Sequence, residues 1–179
     1  MANIKLLTPD VYNLISAGEV VEKPVGAIKE LVENGIDAGA TRIVIEVENG
    51  GFDLISVTDN GCGIREEDIE TAFLKHATSK LNSASDLFAV ETLGFRGEAL
   101  PSISAVSRIK MTTRHASAET AVCVSVENSV VLNKTYVSAN VGSKIEVRDL
   151  FYNTPARKKF LKSPVREAAE ITKFVSKLI

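Results

Sequence analysis

The chain has 179 residues, 45% of them hydrophobic, which fits one domain of the usual span of about 50 to 250 residues with a sizeable core. Its 21 basic and 23 acidic residues leave a formal charge of −2, which excludes recruitment of nucleic acid by an overall positive field and confines such binding to a local patch. The two cysteines and two histidines lack metal-ligand spacing, which excludes a zinc module, and no run approaches the roughly 18 apolar residues of a membrane span. A soluble, cytoplasmic protein with reduced thiols is the expectation.

In chain order, Asp10 can cap a short helix that runs to Ala17, where Gly18 ends it. A second helix starts with Pro24 in its first turn and stops at Asp37-Ala38-Gly39-Ala40. At about 100° per residue, Val25, Ile28, Leu31, Val32, Gly35 and Ile36 share its apolar side, and Gly26, Glu30, Asn34 and Asp37 share the other. Residues 42–48 alternate as a strand, Asn49-Gly50-Gly51 is turn chemistry, and 54–58 return as a second strand that delivers Asp59 to a glycine loop. A short helix is expected over 66–74. The polar stretch 75–96 is too long for an ordinary connection and reads as a lid, with the lid region taken as 75–100. Another helix begins at Glu98, strands follow at 109–113, 121–126, 130–137 and 144–147, and helices close the chain from Pro155 and over 165–179. The last helix has no capping signal, so the chain is expected to be cut from something longer. The expected fold class is α+β: two layers, with a mixed, largely antiparallel sheet of about six strands and helices on one face.

Three places can carry chemistry. Glu30 and Asn34 lie one helical turn apart, so a Glu30 carboxylate and an Asn34 amide oxygen would address one ligand; an ordinary solvated face is the alternative. Asp59, at a strand end before Gly61-Cys62-Gly63, can accept a hydrogen bond from an exocyclic amine such as that of adenine, although Asp, Asn and Gly are also plain turn formers. Gly94-Phe95-Arg96-Gly97-Glu98-Ala99-Leu100 is a second glycine loop leading into a helix, where backbone N–H groups can bind a polyphosphate. No Walker loop or dinucleotide fingerprint is present. Magnesium binds few protein groups when phosphates and water complete its octahedron, so Asn34 suits it, and Glu30 could deprotonate an attacking water. Glu33 points about 60° further round the helix and reads as a solvated charge. His76 reads as a packing residue, and Cys62 and Cys123 as small buried hydrophobes. Arg157, Lys158, Lys159 and Lys162 form the densest basic run, and either touch a phosphate backbone or form a solvated helix face.

Five phrases occur together: Glu30-Leu31-Val32-Glu33-Asn34, Asp59-Asn60-Gly61-Cys62-Gly63-Ile64, His76-Ala77-Thr78-Ser79-Lys80, the loop from Gly94 to Leu100, and Leu150-Phe151-Tyr152-Asn153-Thr154-Pro155-Ala156-Arg157. In order and spacing they resemble the N-terminal part of the MutL mismatch-repair family, within the GHKL ATPase superfamily and its Bergerat nucleotide fold. The phrase around Phe95 separates that family from gyrases, heat-shock chaperones and histidine kinases. The resemblance implies Glu30 as general base, Asn34 as ligand to magnesium, and Asp59 as the adenine-reading carboxylate with Gly61 and Gly63 shaping its pocket. It further implies Thr78, Ser79 and Lys80 as lid contacts to phosphate, and Gly94, Phe95, Arg96, Gly97, Glu98, Ala99 and Leu100 around the triphosphate. Gly142-Ser143 matches a glycine and threonine that support the aspartate. Gly35-Ile36 replaces the commoner serine and leucine, with Ile36 expected to stay on the apolar face.

The function so implied is an ATP-binding, slowly hydrolysing, magnesium-dependent clamp in DNA mismatch repair. Its implied partners are ATP or ADP, DNA without strong sequence preference, a MutS-type mismatch-recognition protein, a downstream helicase or nuclease, and a second copy of the intact protein; no membrane is implied. Weak turnover is expected of these 179 residues alone. The alternatives are another GHKL ATPase such as that of a type II topoisomerase, a non-catalytic nucleotide-gated module, and a plain DNA-binding domain.

Overall fold

The computed structural model describes Leu6, Thr8, Ile15, residues 17–75, Ala77 and residues 97–178. Helix α1 (Pro24–Asp37) has proline in its first turn and closes with the N–H groups of Gly39 and Ala40 on the carbonyls of Ile36 and Gly35. Its buried residues Pro24, Ala27, Ile28, Leu31, Val32 and Gly35 fall within an arc of about 140° at the helical pitch. Ile36 departs from the expected apolar side and is 44% exposed, because it falls outside that arc beside the exposed Lys29. Upstream, residues 17–20 are helical and the N–H of Val21 donates to Ala17, so Gly18 lies inside a helical run rather than ending one. The Asp10 cap lies outside the described residues.

Strands β1 (Ile43–Glu48) and β2 (Leu54–Asp59) form the expected hairpin around a tight turn at Asn49–Gly51. A short turn at Glu66–Asp68 leads into helix α2 (Ile69–Ala72), and helix α3 spans Ala99–Ala105. Strands β3 (Arg108–Arg114), β4 (Ala121–Glu127), β5 (Val130–Val137) and β6 (Gly142–Arg148) are followed by helices α4 (Pro155–Phe160) and α5 (Pro164–Val175). Helix α5 stops at Val175, short of the expected 179, as the N–H groups of Lys177 and Leu178 bond three residues back and tighten the last turn.

The six strands are ordered β1-β2-β6-β3-β4-β5 and every pairing is antiparallel, so the mixed component of the expected sheet is absent among the described residues. Strands β2 and β3 run parallel to each other, but β6 is inserted between them and is antiparallel to both. Alternate residues Ile55, Val57, Met111, Val124, Ile145 and Val147 face one side and join Ala27, Ile28, Leu31, Val32, Ile103 and Phe151 in one hydrophobic cluster. Lys110, Lys144, Glu146 and Arg148 lie on the opposite side, free of helices among the described residues. The result is the two-layer α+β arrangement expected from the sequence. Helix α1 thus lies against the end of the sheet that carries Asp59.

Candidate nucleotide-binding site

Asp59 is the last residue of β2, paired in register with Ile43 on one side and Ser143 on the other. The N–H of Gly61 donates to its Oδ1 at 2.8 Å. Burial pushes the carboxyl above the usual carboxylate range, and the backbone N–H groups of Gly61 and Ser143 pull it partly back. A partly desolvated acceptor with lone pairs beyond those two bonds suits a ligand N–H donor.

Helix α1 comes close to this carboxylate through Gly35. A Cβ added there would lie 3.1 Å from Ile43 Cδ1 and 3.3 Å from Asp59 Cβ. The missing side chain therefore lets the helix settle onto the strand pair, with Asn34 the preceding residue. Glu30, Asn34 and Asp37 are half-buried on the flank between the core arc and the exposed Lys29–Ile36 edge. Glu33, further round, pairs with Lys29 at 3.6 Å.

The loop after Asp59 is held in part by two residues to which the sequence assigned no role, Asn60 and Thr113. Asn60 Oδ1 accepts the N–H groups of Thr41 and Arg42 at 2.9 and 2.8 Å, and its Nδ2 donates to Thr41 Oγ1. Cys62 N–H donates to Ala38 O, which ties the loop to the end of α1. Gly63 has a φ of 72° and packs against the end of β3, where a Cβ would sit 2.1 Å from Arg114 O. Thr113, only 2% exposed, takes the N–H of Ile64 on its hydroxyl at 2.9 Å, donates to Gly142 O and meets Ser143 Oγ at 2.9 Å. Ser143 thus serves the site through its backbone N–H, while its hydroxyl is engaged by Thr113. A lone threonine on a β-strand gave no signal, because its partners are 29 to 49 residues away. Thr113→Val should lower the unfolding free energy by about 2 kcal/mol, the cost of taking a partner from the buried Ser143 hydroxyl and the half-buried Ile64 N–H. Thr112→Val, on the helix-free face, should change it by about 0.5 kcal/mol or less; denaturant titration of both variants checks the contrast.

The turn beyond the loop is pinned to edge strand β5, where Glu66 takes Lys134 Nζ at 2.6 Å and Tyr136 Oη at 2.7 Å. These bonds hold the Glu66 carboxyl below its ordinary range, although the exposed group adds little stability.

Gly97, Glu98 and Ala99 are half-buried at the start of α3, whereas Leu100 is buried in the core cluster, so its side chain serves packing. Thr78, Ser79, Lys80, Gly94, Phe95 and Arg96, with His76 and most of the expected lid, lie outside the described residues. Cys62 is exposed, contrary to the expectation of a buried thiol, because its loop packs through backbone and leaves the side chain outward; Cys123 is half-buried. Of the basic run, Lys158 and Lys159 are exposed, Lys162 pairs with Glu170, and Arg157 folds back onto the body. Among the described residues no cluster of three or more His, Cys, Asp or Glu could hold a metal by itself, and no helix is long and apolar enough to cross a membrane.

The described part of the region thus brings together a strand-end carboxylate, two glycines bedded into backbone and a half-buried Glu-Asn helix flank. Residues 22–151 match the family described as histidine kinase-, DNA gyrase B- and HSP90-like ATPase. The chain belongs to this ATPase family. Within the family it is 51% identical to the DNA mismatch repair protein MutL of Clostridium acetobutylicum over 98% of this chain and 28% of that protein. It is 49% identical to the MutL of Desulforudis audaxviator over 99% of this chain and 32% of that protein. The chain therefore spans about 28–32% of the length of these curated relatives. Among solved family structures, the Aquifex aeolicus MutL ATPase domain complexed with ADP is similar with a TM-score of 0.67 at 34% identity, over 87% of this chain and 54% of that one. The N-terminal domain of a DNA repair protein is similar with a TM-score of 0.76 at 33% identity, over 91% of this chain and 46% of that one.

Proposed function

We propose that the chain is the nucleotide-binding part of a MutL-type DNA mismatch repair protein, an ATP-binding and slowly hydrolysing clamp that couples mismatch recognition to later repair steps. The observation that carries this reading is Asp59, a half-buried carboxylate at a strand end with helix α1 packed against its Cβ. An ADP-bound relative of the same fold supports it. Asp59 accepts the exocyclic amine of adenine, while Gly61 and Gly63 keep the pocket wall to backbone thickness. The segment with Thr78, Ser79 and Lys80 and the loop from Gly94 to Ala99 enclose the phosphates.

The donor set fits magnesium rather than a protein-caged metal: it offers one neutral amide, Asn34, and no acidic cluster among the described residues. When bound, the ion neutralises phosphate charge, and Asn34 Oδ1 is the atom that would hold it. Glu30, one turn away, orients the attacking water and takes its proton. The isolated chain binds nucleotide and turns over poorly. In the intact protein, exposed Lys158 and Lys159 contact a DNA backbone, two copies associate, and a MutS-type protein and a helicase or nuclease are the working partners.

Calorimetric titration with a non-hydrolysable ATP analogue tests the site. The expected result is saturable binding that weakens at least about tenfold when magnesium is withdrawn or when Asn34 is replaced by alanine, the loss of one charge-assisted contact. Binding indifferent to both changes would overturn the assignment.

A further inference from the structure

We infer that Arg157 is a latch that fastens the helical segment 17–20 to the body of the protein. Its guanidinium lies where a side chain on Gly18 would be: a Cβ at that position would fall 1.5 Å from Nη2 and 1.8 Å from Cζ. Nη2 also donates to the carbonyl of Ile15 at 3.5 Å, from a residue 142 positions away in the chain. The planar fork therefore covers the segment's backbone at a place that only glycine leaves open.

Both sides of the contact are anchored independently. On the segment, Ala17 and Val21 are fully buried in the hydrophobic cluster. On the arginine side, α4 follows a turn in which Asn153 Nδ2 donates to Ala105 O at 2.8 Å, and the N–H of Phe151 donates to Val106 O at 2.6 Å. The base of the latch is thus fixed to the end of α3 next to the core.

The latch is built to open. Its hydrogen bond is at the long limit, and Nη1 is buried without a hydrogen-bond partner among the described residues, a cost that closure must carry. Attachment rests on the fit of the fork over Gly18 and on the small apolar residues Ala17, Val20 and Val21. Arg157 is accordingly a positioning residue for the N-terminal segment, which separates it from its exposed neighbours Lys158 and Lys159. The inference needs no nucleotide and stands apart from the function proposed above.

Hydrogen exchange of the 179-residue chain without nucleotide tests it, read at the Val21 amide, which bonds to Ala17 O, with the Met111 amide in the central strand β3 as reference. Arg157→Ala removes the fork, and Gly18→Ala displaces it at little steric cost because the colliding atoms end a flexible side chain. In both variants Val21 should exchange at least about tenfold faster while Met111 is unchanged, and Lys158→Ala should match the parent. Gly18→Ala is especially telling, since alanine favours helix and by propensity alone would slow exchange. Unchanged or slower exchange at Val21 in either variant overturns the latch. So does an equal loss at Met111, which would make Arg157 a general support of the fold.

Discussion

Asp59→Asn should weaken binding of an ATP analogue by about tenfold to a hundredfold, the range expected when a hydrogen bond to a charged acceptor is replaced. The same variant should be the more stable protein near neutral pH. Burial raises the Asp59 carboxyl above its unfolded value, so the neutral acid is the form that the fold favours. The stability that this contributes is complete below the unfolded range and is lost as pH rises through the folded one. Asparagine cannot ionise, so the melting temperature of the variant relative to the parent should climb with pH across that window and level off above it. Thermal unfolding at a series of pH values, with analogue titration at pH 7, reads both effects. A parent that gains stability over the variant as pH rises would contradict the desolvated carboxylate, and unaltered affinity would remove Asp59 from the pocket. Stability given up at a site in this manner is the usual mark of a ligand-binding group.

Gly142→Ala should be among the most damaging of the conservative changes near the site. Its φ is 122°, and a Cβ would lie 2.1 Å from Asp59 O and 2.9 Å from Asn60 Cα, both backbone atoms. No side-chain rotation relieves such contacts, so β2 and β6 must separate where Ser143 N–H supports the Asp59 carboxylate. The expected loss is about 3 kcal/mol or more, adding backbone strain to steric displacement. For a chain of this size that corresponds to a melting point lower by roughly 10 °C. Because the strand end moves, nucleotide affinity should fall along with stability, whereas Thr113→Val should act on stability through a side chain alone. Scanning calorimetry and analogue titration on the one variant give both numbers; a melting temperature within a degree or two of the parent would show that the strands accommodate the methyl group.

The sequence was most legible where the determining interactions are local. The 3.6-residue period placed α1 to within a residue, two-residue alternation with Asn49-Gly50-Gly51 placed the β1–β2 hairpin, and Asp59 stands at the strand end where the pattern put it. The fold class followed from counting these elements. Gly18, Ile36 and Cys62 were misjudged because local rules assign a residue to a face or an end without knowing what packs there. Gly18 reads as a stop signal only until Arg157 is known to lie over it. Leu100 belongs to a glycine-loop phrase, yet its side chain is drawn into the core cluster.

By itself, then, the sequence determined helix α1, the strands, the family phrases and the strand-end position of Asp59, since propensity, periodicity and turn chemistry act within a few residues. Tertiary structure alone decided that β6 enters between β2 and β3 and makes the sheet wholly antiparallel, that Thr113 ties Ile64 to β6, and that Arg157 reaches Ile15. Those choices join residues from 28 to 142 positions apart, and only the closure of the folded chain brings such partners together.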